Sequence, residues 1–348
     1  MSIKPIAVAF ATAGLISPSV MAQSNVTVYG VVDAYLGYGK MGDNRKTGVG
    51  SGGRTGSRLG FKGSEDLGNN LKAVFVLEYW IAVDENQGIG TSDSNSSTRA
   101  RQQFVGLQGS FGFVGLGRQY APGYYVMKYD AAEGAPWGPQ SNLGGKAGAT
   151  ILVATPARWN NSVNYKSANM GGVTVNTIYS FGEEKQDTNR RQGDRWGIGA
   201  EYANGPVGVN VIYHHGNDVP AIAGLGDKKE WYVGGSYNFG AVKLLGSFQQ
   251  VKQTSDTNKI YQIGAIAPVS SAGRVHLAVG QLEHDRSDMD ATNVTVGYTH
   301  ALSKRTTGYV YFVNVNNKSR QNATFFASGV GQAGDNSENV MVGVNHTF

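Results

Sequence analysis

"ENVMVGVNHTF", residues 338–348, closes the chain on an aromatic side chain. Successive residues of an extended strand point to opposite faces. Val340, Val342, Val344, His346 and Phe348 therefore share one side, and Met341, Gly343, Asn345 and Thr347 the other. A chain end frays unless a sheet holds it. An apolar face carried to the last residue predicts a paired strand whose outer side meets something oily.

The same period of two recurs along the chain. Val26, Val28 and Val32 alternate with Tyr29, Val31 and Asp33; Val207, Val209, Val211 and Tyr213 alternate with Gly208, Asn210 and Ile212. Val242, Leu244 and Phe248 alternate with Lys243, Ser247 and Gln249, and Val294, Val296, Tyr298 and His300 with Asn293, Thr295, Gly297 and Thr299. Such segments begin near Val26, Arg58, Leu71, Arg101, Phe113, Trp159, Val173, Arg195, Val207, Glu230, Val242, Lys259, Arg274, Asn293, Thr306 and Glu338. That is about sixteen strands at about twenty residues per strand and connection, an even number suited to an antiparallel transmembrane barrel.

Composition agrees. The 50 glycines, 18 tyrosines and only 16% charged residues point to a β-rich, turn-rich chain. No run after the N-terminal segment is long and apolar enough for a membrane helix. The absence of cysteine excludes disulfides, thiol nucleophiles and cysteine metal sites. At the start, Lys4 precedes an apolar run from Ile6 to Ile16, and Val20 and Ala22 stand two apart before Gln23. This predicts a secretory leader over residues 1–22, cut after Ala22, and a single barrel domain over 23–348.

The connections alternate in length. "EDLGNN", "QGSFG", "SANMGG", "ANGP", "NFG", "VSSAG" and "LSKR" suit tight turns. Between them lie longer polar stretches, among them "GKMGDNRKTGVGSGGRTG", "DENQGIGTSDSNSST", "HGNDVPAIAGLGDK" and "KSRQNATFFASGVGQAGDNS". Outer-membrane barrels have this asymmetry, with short periplasmic turns and long external loops. One connection, "QYAPGYYVMKYDAAEGAPWGPQSNLGGKAGATILVATPAR", is far longer than the rest. Loops of that length are usually functional. A barrel of about sixteen strands is wider than its side chains can fill, so the loop is expected to fold inward and narrow the lumen, the alternative being a loop packed on the rim.

"VTVYGVVDAYLGY", "SRLGFKGSEDLGNNLKAVFVLE", "RQQFVGLQGSFGFVGLGRQ", "RWNNSVNYKS", "SYNFGAVKL", "YTHALSKRT" and the terminal "GVNHTF" together resemble the general trimeric porins of Gram-negative bacteria, in the branch found in the β-proteobacteria. The resemblance implies a sixteen-stranded homotrimeric barrel in outer-membrane lipid, passing small hydrophilic solutes and inorganic ions, with the third external loop in the lumen. It implies a constriction of basic wall residues, often with anion preference, which roughly 0.5 kcal/mol per charge at about 8 Å in water, cut further by salt screening, keeps weak to moderate. The matching positions are Arg58, Arg101 and Arg158, with Lys62 on the parity of Arg58 and Arg118 at the end of the strand feeding the loop. Loop carboxylates facing them would be Asp130 and Glu133. Phe348 would form part of the signal read by the barrel-assembly machinery.

A substrate-specific channel for an organic anion or sugar is the alternative, with Tyr124, Tyr125, Tyr129 and Trp137 as a candidate aromatic slide. An enzyme finds little support: His214, His215, His276, His284, His300 and His346 accompany no elbow-type serine motif. His214, His215 and His284 border expected loops, and His276 is placed toward the lumen. Asp285, Asp288 and Asp290 form a weak calcium candidate, lacking the glycine and final glutamate of an EF-hand. Basic residues are spread rather than clustered with aromatic platforms, which argues against nucleic-acid binding. No cofactor is called for.

Overall fold

The barrel closes where the sequence ends. In a computed structural model of the chain, describing residues 25–86, 88–90, 100–182, 191–221, 224–254, 256–327 and 329–348, strand β1 (Asn25–Met41) pairs antiparallel with the last strand, β17 (Ser337–Thr347), from Val31↔Thr347 to Met41↔Ser337. Beyond that ladder Gly30 and Phe348 exchange two backbone hydrogen bonds of 3.1 Å. The expected leader, residues 1–22, lies outside the described residues.

Around the ring follow β2 (Asn44–Ser51), β3 (Arg58–Gly68), β4 (Leu71–Trp80), β5 (Ala100–Gly109), β6 (Gly112–Tyr120), β7 (Arg158–Lys166), β8 (Val173–Ser180) and β9 (Arg195–Asn204). Then come β10 (Val207–Ala221), β11 (Gly224–Asn238), β12 (Lys243–Gln253), β13 (Asp256–Pro268), β14 (Gly273–Glu283), β15 (Ala291–Ala301) and β16 (Thr306–Asn317). Seventeen segments make sixteen staves, because β2 and β3 share one position: β2 pairs the upper half of β1, Ala34↔Ser51 to Met41↔Asn44, and β3 the lower half, Asn25↔Ser64 to Val31↔Arg58.

Two expected external loops prove to be largely strand. The run containing β2 was expected as loop, yet only a turn near Gly42 separates β2 from β1. Its sequence, NRKTGVGS, has no apolar alternation. Backbone ladder bonds do not require one; alternation is enforced only where a face meets lipid. Likewise most of 215–228 extends β10 and β11 into a long hairpin, with a register shift between Gly216 and Val219.

Burial runs inside out. In β17, Val340, Val342 and Val344 are exposed while Ser337, Asn339 and Asn345 are buried. That is the pattern of a wall with lipid outside and a polar interior. Among the described residues no helix is long and apolar enough to cross a membrane; the strands do so.

The long connection between β6 and β7 folds into the lumen, as expected. It contains a 3-10 segment Pro122–Tyr129 and one helix, α1 (Pro139–Lys146), which packs on β13, β14 and β15. Val126, Ala131, Trp137, Leu143 and Ile151 are fully buried between loop and wall. Wall glycines permit the approach: a Cβ at Gly280 would stand 2.4 Å from Cβ of Pro139. The connection between β16 and β17 also turns inward, placing Phe325 and Phe326 against Tyr35, and Lys146 Nζ donates to Asn322 Oδ1 at 2.8 Å.

Candidate pore constriction

The loop is tied to the wall by directed polar contacts. Trp137 lies on the Tyr311 ring at 3.7 Å between centroids, and its carbonyl accepts from Asn293 and Thr295. Gln140 and Gln249 both donate to the Ile151 carbonyl, at 2.9 and 3.0 Å. Glu230, fully buried, accepts the N–H groups of Thr150 and Ile151. His214 Nε2 accepts the Gly123 N–H at 3.1 Å, which leaves Nδ1 to donate to Thr150 Oγ1. His276, placed toward the lumen by parity, donates from Nδ1 to the Ala131 carbonyl and accepts from Thr299. His214 is a wall residue too, not one at a loop border. Apart from Tyr125, the loop aromatics are buried, Trp137 and Tyr129 almost completely. They anchor the loop; they do not offer an aromatic slide to a sugar.

A second device faces the loop. Between β2 and β3 the chain leaves the wall as a strap, residues 52–57, pinned by fully buried Asp33. Asp33 accepts the N–H groups of Gly53, Arg54 and Thr55 at 2.9–3.1 Å, and bonds from Tyr309 and Asn345. The strap thereby aims Arg54 at the loop, where Nη2 meets Glu133 Oε2 at 2.9 Å; Arg274 stands 3.9 Å from the other oxygen.

Two vestibules meet at this level. One of 1240 Å³, on the side of the short turns, is lined by Arg54, Arg58, Lys62, Glu78, Lys128 and Glu133. The other, of 920 Å³ on the long-loop side, is lined by Arg101, Arg118, Arg158, Trp80 and Phe325. Thr55 of the strap and Tyr124, Gly134 and Val153 of the loop border both, so strap and loop mark the level at which the two vestibules adjoin.

The basic residues named from sequence form a ladder down one wall. Arg118, near the long-loop end of β6, donates from Nε to the Ala100 carbonyl at 2.8 Å and from Nη1 to the Arg158 carbonyl and the Asn160 side chain. The Arg158 guanidinium sits 5.6 and 5.2 Å from the rings of Tyr120 and Tyr124, which are stacked 3.7 Å apart. Beneath them Arg101 donates to both tyrosine hydroxyls and, at 2.7 Å, to Glu78. Arg58 approaches the same carboxylate at 3.6 Å, and Lys62 lies over the Tyr29 ring at 5.1 Å. Arg101 is only 6% exposed and Glu78 4%, so that pair is a wall brace more than an open charge.

Of the loop carboxylates, Glu133 reaches the passage but Asp130 does not present its charge there. Asp130 is 1% exposed and turned into its own loop, accepting from Ala132, Gly134 and Gln262. Burial pushes its carboxyl up to about 6. The calcium candidate also fails to assemble: Asp290 accepts the His284 N–H, Asp288 pairs with Arg320, and no cluster of metal-ligating side chains occurs among the described residues. Phe348 lies with its ring against Gly30, where a Cβ would come within 2.4 Å of Cζ.

Sequence reasoning missed Glu78, Arg54 and Asp33. Glu78 carries a legible signal: it is the sole carboxylate of β4, LKAVFVLEYW, on the parity opposite Phe75 and Leu77. Arg54 carries none, since its role depends on the strap.

A closed sixteen-stave barrel, apolar outside and polar within, whose lumen is narrowed by an inward loop beside a ladder of cations, has the architecture of an outer-membrane channel. The chain belongs to the Gram-negative porin family, whose model matches residues 7–320. It is 36% identical to outer membrane porin protein 32 of Delftia acidovorans over 95% of this chain and 96% of that one. It is 26% identical to major outer membrane protein P.IB of Neisseria meningitidis serogroup B, covering 94% and 96%. Among solved structures, an anion-selective porin from Comamonas acidovorans superposes with a TM-score of 0.81 at 32% identity, covering 94% of this chain and all of that one. The chain is accordingly a general diffusion porin of the outer membrane.

Proposed function

We propose that this porin favours anions weakly to moderately, and that Arg54, Arg58, Arg101, Arg118 and Arg158 set the preference against Glu78 and Glu133. The observation that carries it is the imbalance along the passage: five arginines stand against Glu78 and Glu133, Lys62 and Lys243 add positive charge on the short-turn side, Lys128 pairs with Glu201, and Asp130 adds no open charge. At about 8 Å in water each surplus cation is worth roughly 0.5 kcal/mol to a monovalent anion. Salt at about 0.15 M cuts this to roughly a third, so three surplus charges favour anions about two- to threefold, with some gain from low-dielectric walls. The anion-selective porin of Comamonas acidovorans supports the sign.

Reversal potentials across a planar bilayer under a salt gradient test it. Wild-type cation selectivity overturns the assignment, as does a triple Arg58→Ser, Arg101→Ser, Arg158→Ser variant with unchanged selectivity. We further propose export through a leader cut after Ala22, assembly by the barrel-assembly machinery with Phe348 in the recognised signal, and a homotrimer in lipid. The mature N-terminus by mass spectrometry and the heat-dissociable band on detergent gels check these.

A further inference from the structure

Behind the constriction loop lies a separate cavity. It measures 450 Å³ and is enclosed by residues 145–156 of the loop on one side and by β9, β10 and β11 on the other. Three cations from three elements line it: Arg158 at the start of β7, Arg195 at the start of β9 and Lys228 on β11. Arg195 and Lys228 are on the inward parity of their strands, shared with buried Gly197 and Glu230. Arg158 and Thr155 border both this cavity and the outer vestibule, which places the cavity on the long-loop side of the constriction.

The cations are poorly compensated. Among the described residues Glu230 is the one carboxylate lining the cavity, and its oxygens are already engaged by the Thr150 and Ile151 N–H groups. Lys228 Nζ has one partner, the Gly148 carbonyl at 2.7 Å. Arg158 Nε is buried with no acceptor. The Arg195 side chain makes no hydrogen bond and no ion pair among the described residues, although a guanidinium carries five donors. Three cations against one carboxylate leave a surplus of two positive charges with several free donors. A partly enclosed guanidinium without an acceptor is costly unless a counter-charge joins it.

We propose that this side cavity binds a doubly charged oxyanion of the phosphate or sulfate type, held between Arg158, Arg195 and Lys228. Two negative charges match the surplus, and several oxygens match guanidinium and ammonium donors that a single chloride cannot satisfy together. The bound dianion tethers the back of the constriction loop to β9 and β11. The proposal takes from the preceding section only that anions enter the outer vestibule; of the constriction arginines it uses Arg158 alone, which borders both spaces.

Titration calorimetry of the full chain in detergent micelles, with sodium sulfate at constant ionic strength in a chloride background, tests it. The expected result is saturable binding of one sulfate per chain. Arg195→Gln and Lys228→Gln should each weaken it about tenfold or more, as loss of a charge-assisted contact does, while Lys228→Arg stays within about threefold of the wild type. Arg58→Ser should keep sulfate affinity while shifting the reversal potential. Heat that does not saturate, or equal affinity in the wild type and both Gln variants, overturns the proposal. So does sulfate binding abolished by Arg58→Ser and untouched by Arg195→Gln, a result that places the dianion in the constriction and leaves the anion preference standing.

Discussion

Arg54 Nη2 meets Glu133 Oε2 at 2.9 Å, joining the strap that breaks the second stave to the constriction loop, 79 residues further along the chain. The pair is part-exposed, with Arg274 nearby, so its contribution to stability is about 0–1 kcal/mol. Its effect on permeation is larger than its effect on folding. Glu133→Gln removes the carboxylate that pairs with Arg54 and leaves Arg54 and Arg274 open; reversal potentials should move toward anions with the unfolding midpoint nearly unchanged. A shift toward cations would show that Glu133 does not face the ion path.

Glu78 behaves differently because it is buried. Glu78→Gln strands Arg101, and removing one partner of a buried pair costs roughly 3–5 kcal/mol. Denaturant unfolding of the assembled protein should report that loss. The double variant Glu78→Gln, Arg101→Gln should recover much of it. An equally unstable double variant would mean that the tyrosine hydroxyls, not the charge pair, hold this wall.

Asp130 gives the loop a pH dependence. Its carboxyl is raised from an ordinary 3.8 to about 6 by burial, so the folded loop binds a proton more tightly than the unfolded chain does. Its contribution is therefore complete below the ordinary value and is lost as pH rises through about 6. Gating noise in single-channel records should be lowest near the acid end of that window and grow as pH rises across it. Asp130→Asn should flatten this dependence; a dependence that persists in the variant assigns it to another group.

Closure of the ring depends on Gly30. A Cβ there would lie 2.4 Å from Cζ of Phe348 and 2.6 Å from the Arg58 carbonyl, and the carbonyl belongs to a paired strand that cannot move cheaply. Gly30→Ala and deletion of Phe348 should both lower the yield of assembled barrel on detergent gels, while pores that form keep near wild-type conductance. Normal yield from Gly30→Ala would show that the seam can shift by a few tenths of an ångström.

Alternation made the wall legible. Wherever a strand has lipid on one side and water on the other, side-chain chemistry must switch every residue, and "ENVMVGVNHTF" displays that rule to its final residue. The strand starts near Leu71, Val173, Val207 and Thr306 coincide with the observed elements because short Gly- and Asn-rich turns mark them. The rule fails at β2, where NRKTGVGS gains its backbone bonds from β1 without an apolar face. It also fails at the β10–β11 hairpin, whose polar residues extend the ladder through a stretch that reads as loop.

By itself the sequence determined a closed barrel, its stave number and a long loop available to narrow it, since all of these follow from local periodicity and connection length. Only the tertiary structure decided which charges face a passing solute. Arg101 is braced by Glu78, Asp130 is consumed by its own loop, Arg54 is delivered by a strap pinned on Asp33, and the Arg195 side chain is left without an acceptor among the described residues. The physical reason is range: alternation acts between neighbours, whereas a charge is open or paired according to groups brought to it by strand register and loop docking from distant parts of the chain.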